Sequence, residues 1–158
     1  YTIRLGIRLE KTFEYIDTPH KFKMGVSGCP RSCVESGVKD FGVISVENGY
    51  QIYIGGNGGT DVTVGKLLTT VETEDEVIQL CGAIMQYYRE TGIYAERTAP
   101  WLERMGFDNV KDIVLNKDKQ KALYLRIMEA KKAVEKEPWE AIVEDKNEQK
   151  IFEVEKVK

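Results

Sequence analysis

The sequence predicts an α+β domain in which helices pack on a small, largely antiparallel sheet. Apolar runs typical of strands lie before residue 55, and most of the helical spacing follows residue 73. An Asn48-Gly49 dipeptide joins two of the apolar runs, and this dipeptide is a strong hairpin signal. The order of strands before helices, together with a hairpin, favours a small, largely antiparallel sheet.

The chain opens with the pattern of an amphipathic helix. Leu5, Leu9, Phe13 and Ile16 recur at helical spacing, and the pattern ends before Pro19. The first element expected is therefore a helix over about residues 3–16.

A strand and a short helix are expected next. Phe22, Met24 and Val26 alternate with polar or small residues, which indicates a strand that leads into a Gly28-Cys29 corner. A short helix over about Pro30–Gly37 then follows this corner.

Two strands and a glycine-rich loop are predicted after that helix. Residues 41–47 and 50–54 are the apolar runs of the hairpin. The segment Gly55–Gly59 contains four glycines and Asn57, so we expect a loop in which the backbone can approach a ligand closely.

The rest of the chain is predicted to be mainly helical. Thr73 and Glu76 have the spacing of a capping box, and Gly92 follows the last residue of the stripe formed by Val77, Cys81, Ile84 and Tyr88. Three further helices are expected near 99–105, 109–115 and 119–136.

The C-terminal residues are predicted to form an extension. Pro138-Trp139 breaks the last helix, residues 144–150 form a solvated connection, and Phe152 with Val154 forms a short closing strand. We therefore divide the chain into a domain of residues 1–136 and an extension of residues 137–158.

The composition is typical of one ordinary folded domain. The chain has 158 residues, 42% of them apolar and 31% charged, and a net charge of −3. This charge argues against nucleic acid as a partner. No apolar run approaches the roughly 18 residues of a membrane span, so no membrane partner is expected. Three cysteines are poor material for a disulfide framework and suit a reducing cytosol.

Cys29 and Cys33 are the strongest candidate metal ligands. If they lie at the start of the expected helix, their i, i+4 spacing puts both thiols on one face, and the free N–H groups there favour thiolate. Two buried thiols, a zinc site completed by Cys81 and His20, and a thiol–disulfide pair are the alternatives. Cys81 itself lies on an apolar helical stripe and is interpreted as core packing.

Several motifs together resemble one family. They are Thr18-Pro19-His20-Lys21-Phe22-Lys23, Ser27-Gly28-Cys29-Pro30-Arg31-Ser32-Cys33, Asp40-Phe41-Gly42-Val43, Gly55-Gly56-Asn57-Gly58-Gly59 and Arg97-Thr98-Ala99-Pro100-Trp101. In this order they resemble the sirohaem- and [4Fe–4S]-dependent nitrite and sulfite reductases, and in particular the C-terminal part of the large subunit of bacterial NAD(P)H-dependent nitrite reductases.

The resemblance implies a haemoprotein-domain fold of that family and the reduction of nitrite to ammonium with six electrons from NAD(P)H, as in nitrate assimilation. It also implies four cysteine ligands, a C-x5-C pair followed by a C-x3-C pair, and only the second pair is present in this chain. We expect the first pair just before Tyr1, so the chain is interpreted as a fragment of the enzyme. The isolated chain is expected to be inactive, without cluster or sirohaem, and FAD and NAD(P)H would bind upstream domains.

The resemblance also implies roles for individual residues. Cys33 would bridge the [4Fe–4S] cluster and the sirohaem iron, and the loop of Gly55, Gly56, Asn57 and Gly58 would contribute to the cofactor surroundings. The ordinary alternative for this loop is a flexible turn.

Lys21, Lys23 and Arg31 are candidates for binding the nitrite anion and for supplying protons. The ordinary alternative is that all three are solvated surface charges. The i, i+2 spacing puts both lysines on one side of the expected strand, and in a symmetric homodimer each copy would lend them to the sirohaem of the other.

The partners implied are nitrite, a second copy of the chain and a small nitrite reductase subunit, in the cytoplasm. A sulfite reductase on the same scaffold and a non-catalytic metal-binding module are the alternative functions.

Overall fold

The computed structural model describes residues 2–134 and 142–143. Within these residues the helices are α1 (Thr2–Phe13), α2 (Glu74–Thr91), α3 (Thr98–Met105), α4 (Phe107–Leu115) and α5 (Lys117–Ala133). The strands are β1 (Met24–Ser27), β2 (Phe41–Val46), β3 (Gly49–Ile54), β4 (Asn57–Gly58), β5 (Val62–Thr63) and β6 (Lys66–Val71).

Four strands form the main sheet in the order β1-β2-β3-β6. β1 runs parallel to β2, with Val26 opposite Val43, while β2–β3 and β3–β6 are antiparallel pairs. The short strands β4 and β5 pair with each other beside this sheet. The predicted α+β class with a largely antiparallel sheet is confirmed.

The core lies between the main sheet and the helices. The α1 residues predicted to face it, Leu5, Leu9 and Phe13, are buried. The fully buried α2 residue Cys81 lies in the same cluster, which confirms its interpretation as a core residue. Trp101 of α3 is buried there too and donates its indole N–H to Thr91 at 2.9 Å.

The helix ends follow the local sequence signals. The Thr73 hydroxyl accepts from the Glu76 N–H at 3.2 Å, and the Glu76 carboxylate accepts from the Thr73 N–H at 2.9 Å. The Thr73 hydroxyl also donates to the Glu76 carboxylate, and this bond, together with the one from the Thr73 N–H, holds the pKa of Glu76 below its ordinary value. The predicted capping box is therefore confirmed, and α2 ends before Gly92 as expected.

Other predicted elements differ from the structure. The helix predicted over Pro30–Gly37 is wrong, because this segment forms turns and a single 3-10 turn over Ser36–Val38. The hairpin is confirmed, but its two turn residues are Glu47 and Asn48. Gly49 instead begins β3 with a φ of 135°, and a Cβ there would meet the Val71 carbonyl oxygen at 2.1 Å.

Strand β6 was not predicted. Its sequence from Lys66 to Val71 has two adjacent leucines followed by two threonines, so it lacks the alternation that marks a half-buried strand. Pairing with β3 and burial of Leu68 determine its conformation.

The predicted break at Pro138-Trp139, the connection over residues 144–150 and the closing strand at Phe152 and Val154 lie outside the described residues. The division of the chain into residues 1–136 and 137–158 stays a prediction. Among the helices that the structure describes, none combines the length and the apolar character needed to cross a membrane.

Candidate functional site

The two candidate ligands, Cys29 and Cys33, lie on a loop between β1 and β2 that is closed by its own main chain. The N–H of Ser32 donates to the Cys29 carbonyl at 3.1 Å, and the N–H of Glu35 donates to the Ser32 carbonyl at 2.7 Å. A third turn follows, in which the Val38 N–H donates to the Glu35 carbonyl at 3.0 Å. Ser32 and Glu35 both have left-handed φ angles, of 50° and 55°. Each cysteine is therefore presented by a hydrogen-bonded turn.

The cysteine loop, residues 28–39, is fixed to the sheet by buried contacts. The hydroxyls of Ser27 and Ser36 form a buried hydrogen bond of 2.8 Å. Under the loop, a Cβ on Gly42 would lie 1.9 Å from the Ser36 carbonyl oxygen, and a Cβ on Gly25 would lie 2.8 Å from Cγ of Lys39. Glycine at these two strand positions lets the loop pack directly on β1 and β2.

The thiols of the three cysteines differ in exposure. Cys29 and Cys33 are exposed, whereas Cys81 is buried, and burial raises the pKa of the Cys81 thiol well above its ordinary value. The Cys81 sulfur lies 3.7 Å from the sulfur of Met24, which is a contact within the core. Only Cys29 and Cys33 can therefore offer thiolates to an external metal group without unfolding.

Cys29 and Cys33 do not have the helical geometry that was expected for two ligands of one metal centre. The argument from i, i+4 positions on a helix is wrong, because Cys29 and Cys33 lie on consecutive turns and not at a helix start. The zinc alternative also fails in residues 2–134 and 142–143, where no three His, Cys, Asp or Glu side chains group as metal ligands. Iron–sulfur clusters are held by cysteine thiolates, so two exposed thiols fit as part of such a ligand set.

Lys21 and Lys23 are exposed but lie just before β1 rather than within it. The predicted strand is thus shorter at its start than expected. β1 has four residues, which span roughly 13 Å, and Cys29 follows its opposite end. Within one chain, the lysines and Cys29 therefore lie at opposite ends of β1.

The buried carboxylate of Asp40 organises the lysine end of the sheet. It accepts hydrogen bonds from the Lys23 N–H at 2.8 Å, from the Arg97 guanidinium at 2.9 Å, and from the Thr98 hydroxyl. The Asp40 carbonyl also accepts from the Gly55 N–H at 3.1 Å. One residue thus joins the start of β1, the end of β3 and the start of α3.

The glycine-rich loop lies at this same end. Gly55 has a φ of 73°, and a Cβ there would lie 2.5 Å from the Leu102 side chain. A Cβ on Gly56 would lie 2.6 Å from the Lys39 carbonyl oxygen. Close packing within the chain therefore accounts for the first two glycines, while Gly58 is exposed.

An open cleft of about 750 Å³ adjoins the glycine-rich loop. Asn57, Lys66 and Arg97 are among its lining residues, and the Asn57 amide donates to the Asp61 carbonyl at 2.8 Å. Arg31, by contrast, is exposed on the cysteine loop. The structure thus groups Cys29, Cys33 and Arg31 at one end of β1, and the lysines and glycines at the other.

Sequence reasoning missed Asp40, Arg97 and Ser36 as the residues that position the site. Asp40 and Arg97 appeared only within longer motifs, although an Asp directly before a mostly apolar run is unusual enough to suggest a buried partner. Because 57 residues separate them, local sequence patterns could not predict that their side chains pair.

The comparisons with known proteins agree on one family. Residues 1–122 match the nitrite and sulphite reductase 4Fe-4S domain. The chain is 48% identical to the nitrite reductase [NAD(P)H] of Bacillus subtilis over 96% of this chain and 19% of that protein. It is 38% identical to the nitrite reductase (NADH) large subunit of Escherichia coli over 73% of this chain and 14% of that subunit.

A sulfite reductase is also similar. The chain is 30% identical to an assimilatory-type sulfite reductase of Nitratidesulfovibrio vulgaris over 72% of this chain and 52% of that protein. The chain spans about a fifth of the Bacillus subtilis relative, so it corresponds to a small part of the nitrite reductases that it matches.

Replacing Asp40 with Ala is expected to lower the free energy of unfolding by about 3–5 kcal/mol, because it leaves the Arg97 charge and the Thr98 hydroxyl buried without their acceptor. Urea denaturation followed by circular dichroism measures this loss. As a control, Glu35→Gln removes the exposed partner of Lys39 and should change stability by less than about 0.5 kcal/mol. Equal effects of the two changes would contradict the central role of Asp40.

Replacing Gly42 with Ala is expected to lower stability by about 3 kcal/mol or more, because the new Cβ would overlap the main chain of the cysteine loop at Ser36. Gly37→Ala is the matched control, since a Cβ at Gly37 meets nothing within 4 Å. The same denaturation experiment compares them, and a Gly42→Ala protein as stable as the Gly37→Ala protein would show that the loop does not rest on β2.

Proposed function

The chain belongs to the nitrite and sulphite reductase 4Fe-4S domain family, and from this we propose that it is part of an NAD(P)H-dependent nitrite reductase that reduces nitrite to ammonium. The observation that carries the proposal is the pair of exposed thiols, Cys29 and Cys33, on a loop fixed to the sheet, in a chain 48% identical to such an enzyme.

Cys29 and Cys33 would be two of the ligands of a [4Fe–4S] cluster, and Cys33 would be shared with sirohaem. When bound, these cofactors would transfer to the anion the electrons drawn from NAD(P)H. The chain itself supplies thiolates on a main chain that is already hydrogen-bonded. The buried Ser27–Ser36 contact keeps this loop on the sheet.

The other ligands would come from a C-x5-C pair outside this chain. The isolated chain would then be inactive and without cluster or sirohaem. FAD and NAD(P)H would bind to further domains, and a small nitrite reductase subunit would be a second partner. We also propose a cytoplasmic location, because two exposed thiols suit a reducing compartment.

Lys21 and Lys23 would bind nitrite and deliver protons, since a lysine ammonium is a compact charge with three donors. Their position at the far end of β1 from Cys29 supports a role at the cofactors of a second copy and not at those of their own chain. A two-fold homodimer allows this exchange in both directions at once. Arg31, next to the cysteines, would add positive charge beside the centre of its own chain.

The loop of Gly55, Gly56, Asn57 and Gly58 would contribute to the surroundings of sirohaem through the cleft beside it. Sirohaem carries several carboxylates, and the side chains of Asn57, Lys66 and Arg97 can donate hydrogen bonds to them. The packing of Gly55 and Gly56 inside the chain would then serve to hold Asn57 at the rim of this cleft.

A sulfite reductase on the same scaffold is the second candidate. The 30% identity to an assimilatory-type sulfite reductase favours it specifically, but the identity to a nitrite reductase is greater, at 48%. Both substrates are small anions that are reduced with six electrons. Steady-state rates of the full-length enzyme with nitrite and with sulfite distinguish them.

Replacing Cys33 with Ser in the full-length enzyme is expected to abolish nitrite reduction and to remove the visible bands of the cofactors, because a serine hydroxyl does not replace the thiolate. Iron content, the visible spectrum and the rate with nitrite measure the effect. Cys81→Ser is the control and should leave all three nearly intact, with some loss of stability from a buried hydroxyl. If both variants lost iron equally at equal folded yield, the assignment of Cys33 as a ligand would be wrong.

Replacing Lys21 and Lys23 together with Met in the full-length enzyme is expected to lower kcat/KM for nitrite at least about tenfold, with iron and sirohaem content unchanged, because anion binding and proton supply are both weakened. Lys121→Met on α5, also an exposed lysine, is the control and should not change these values. Wild-type kinetics in the double variant would assign both lysines to the solvated surface.

A further inference from the structure

Three serine hydroxyls form a chain at the base of the cysteine loop. The Ser27 Oγ lies 2.8 Å from the Ser36 Oγ and 3.5 Å from the Ser32 Oγ, the second contact being at the long end of hydrogen-bond distances. Ser27 and Ser36 are buried, with 3% and 0% of their surface exposed, whereas Ser32 is half-buried. The chain therefore leads from the sheet to the residue that stands between Cys29 and Cys33 in the sequence.

Burial determines the direction in which these hydroxyls donate. Each serine hydroxyl has one proton, and a buried donor without an acceptor is costly. Within the described residues the Ser36 hydroxyl bonds only to Ser27, so both buried protons are used when Ser36 donates to Ser27 and Ser27 donates to Ser32. The Ser32 hydroxyl then has no acceptor among the described residues, and its proton can be donated to a group outside them.

The backbone of Ser32 is a second observation that points to a role for its side chain. Its φ of 50° lies in the left-handed region, which glycine adopts readily and which costs other residues roughly 1–2 kcal/mol. Glycine would form the same turn, closed by the Ser32 N–H on the Cys29 carbonyl at 3.1 Å, at a lower cost. A residue held in this region between two candidate metal ligands favours a functional reason for its hydroxyl.

We propose that the Ser32 hydroxyl donates to a sulfur atom of the [4Fe–4S] cluster, and that Ser27 and Ser36 are positioning residues that direct this donor. The proposal rests on the proposed function, in which Cys29 and Cys33 hold the cluster. Reduction adds negative charge to the cluster, so a hydrogen bond to sulfur stabilises the reduced form and raises the reduction potential. Donation along a chain of hydroxyls polarises each bond in turn and strengthens the last one.

A redox titration of the full-length enzyme, followed by electron paramagnetic resonance, tests the proposal. Ser32→Gly removes the hydroxyl at a φ that suits glycine, so the turn is kept. The reduced cluster is expected to become about tenfold less stable relative to the oxidised cluster, which lowers the midpoint potential by about 59 mV for one electron. Iron content should be unchanged. Ser45→Ala, which changes a half-buried serine on β2 outside the cysteine loop, is the control and should leave the potential unchanged.

Ser27→Ala tests whether Ser27 acts through Ser32. This variant is expected to lower the potential by a smaller amount, and the double variant Ser27→Ala, Ser32→Gly should have the same potential as Ser32→Gly alone. Additive shifts would show that Ser27 acts on the cluster by another route and would overturn the hydroxyl chain. Electron–nuclear double resonance in H2O and D2O is an independent measurement, in which Ser32→Gly should lose one exchangeable-proton coupling that Ser45→Ala retains.

The outcomes separate this donor from the proposed function. An unchanged potential in Ser32→Gly, at normal iron content, overturns the donor and leaves Cys29 and Cys33 as ligands. If Ser32→Gly contains less iron than the unmodified enzyme, Ser32→Ala replaces it, and loss of iron in both variants assigns Ser32 to the folding of the loop and overturns the proposal. If the unmodified enzyme shows no signal of a [4Fe–4S] cluster, the proposed function and the donor are both wrong.

Discussion

The buried Asp40 carboxylate is the constraint on which the rest of the structure depends. Its side chain is fully buried, and a buried charge is tolerated only when charged and polar groups surround it. Arg97 supplies the opposite charge, while Thr98 and the Lys23 main chain supply further hydrogen bonds. Because these groups come from two separate segments, satisfying one carboxylate fixes the entry to β1 against the start of α3.

The two ends of β1 differ in the chemical groups that surround them. One end carries the exposed thiols on the cysteine loop, which serine hydroxyls and contacts with glycines hold on the sheet. The other end carries cations around a buried acid. The net charge of −3 hides this local concentration of positive charge, which only the fold reveals.

Local signals predicted the elements that depend on neighbours in sequence. The capping box at Thr73 and the hairpin around Asn48 needed contacts of only a few residues, and both are present in the structure. The cysteine loop was different, because Ser32 and Glu35 adopt left-handed conformations that their residue types seldom favour. Contacts with the underlying sheet determine the conformation of that loop. Local sequence patterns do not contain these contacts, and they predicted a helix instead. The pairing of Asp40 with Arg97 was likewise not predicted, because it joins residues far apart in the chain.

The left-handed turns of the cysteine loop have a thermodynamic consequence. Binding an inorganic group normally requires the backbone of its ligands to become ordered, and each ordered residue carries an entropic penalty of about 1–2 kcal/mol. Here the main chain from Cys29 to Val38 is already ordered by its own hydrogen bonds. Only the side-chain torsions of the two cysteines remain free, so any group that these thiols bound would meet a main chain that is already ordered.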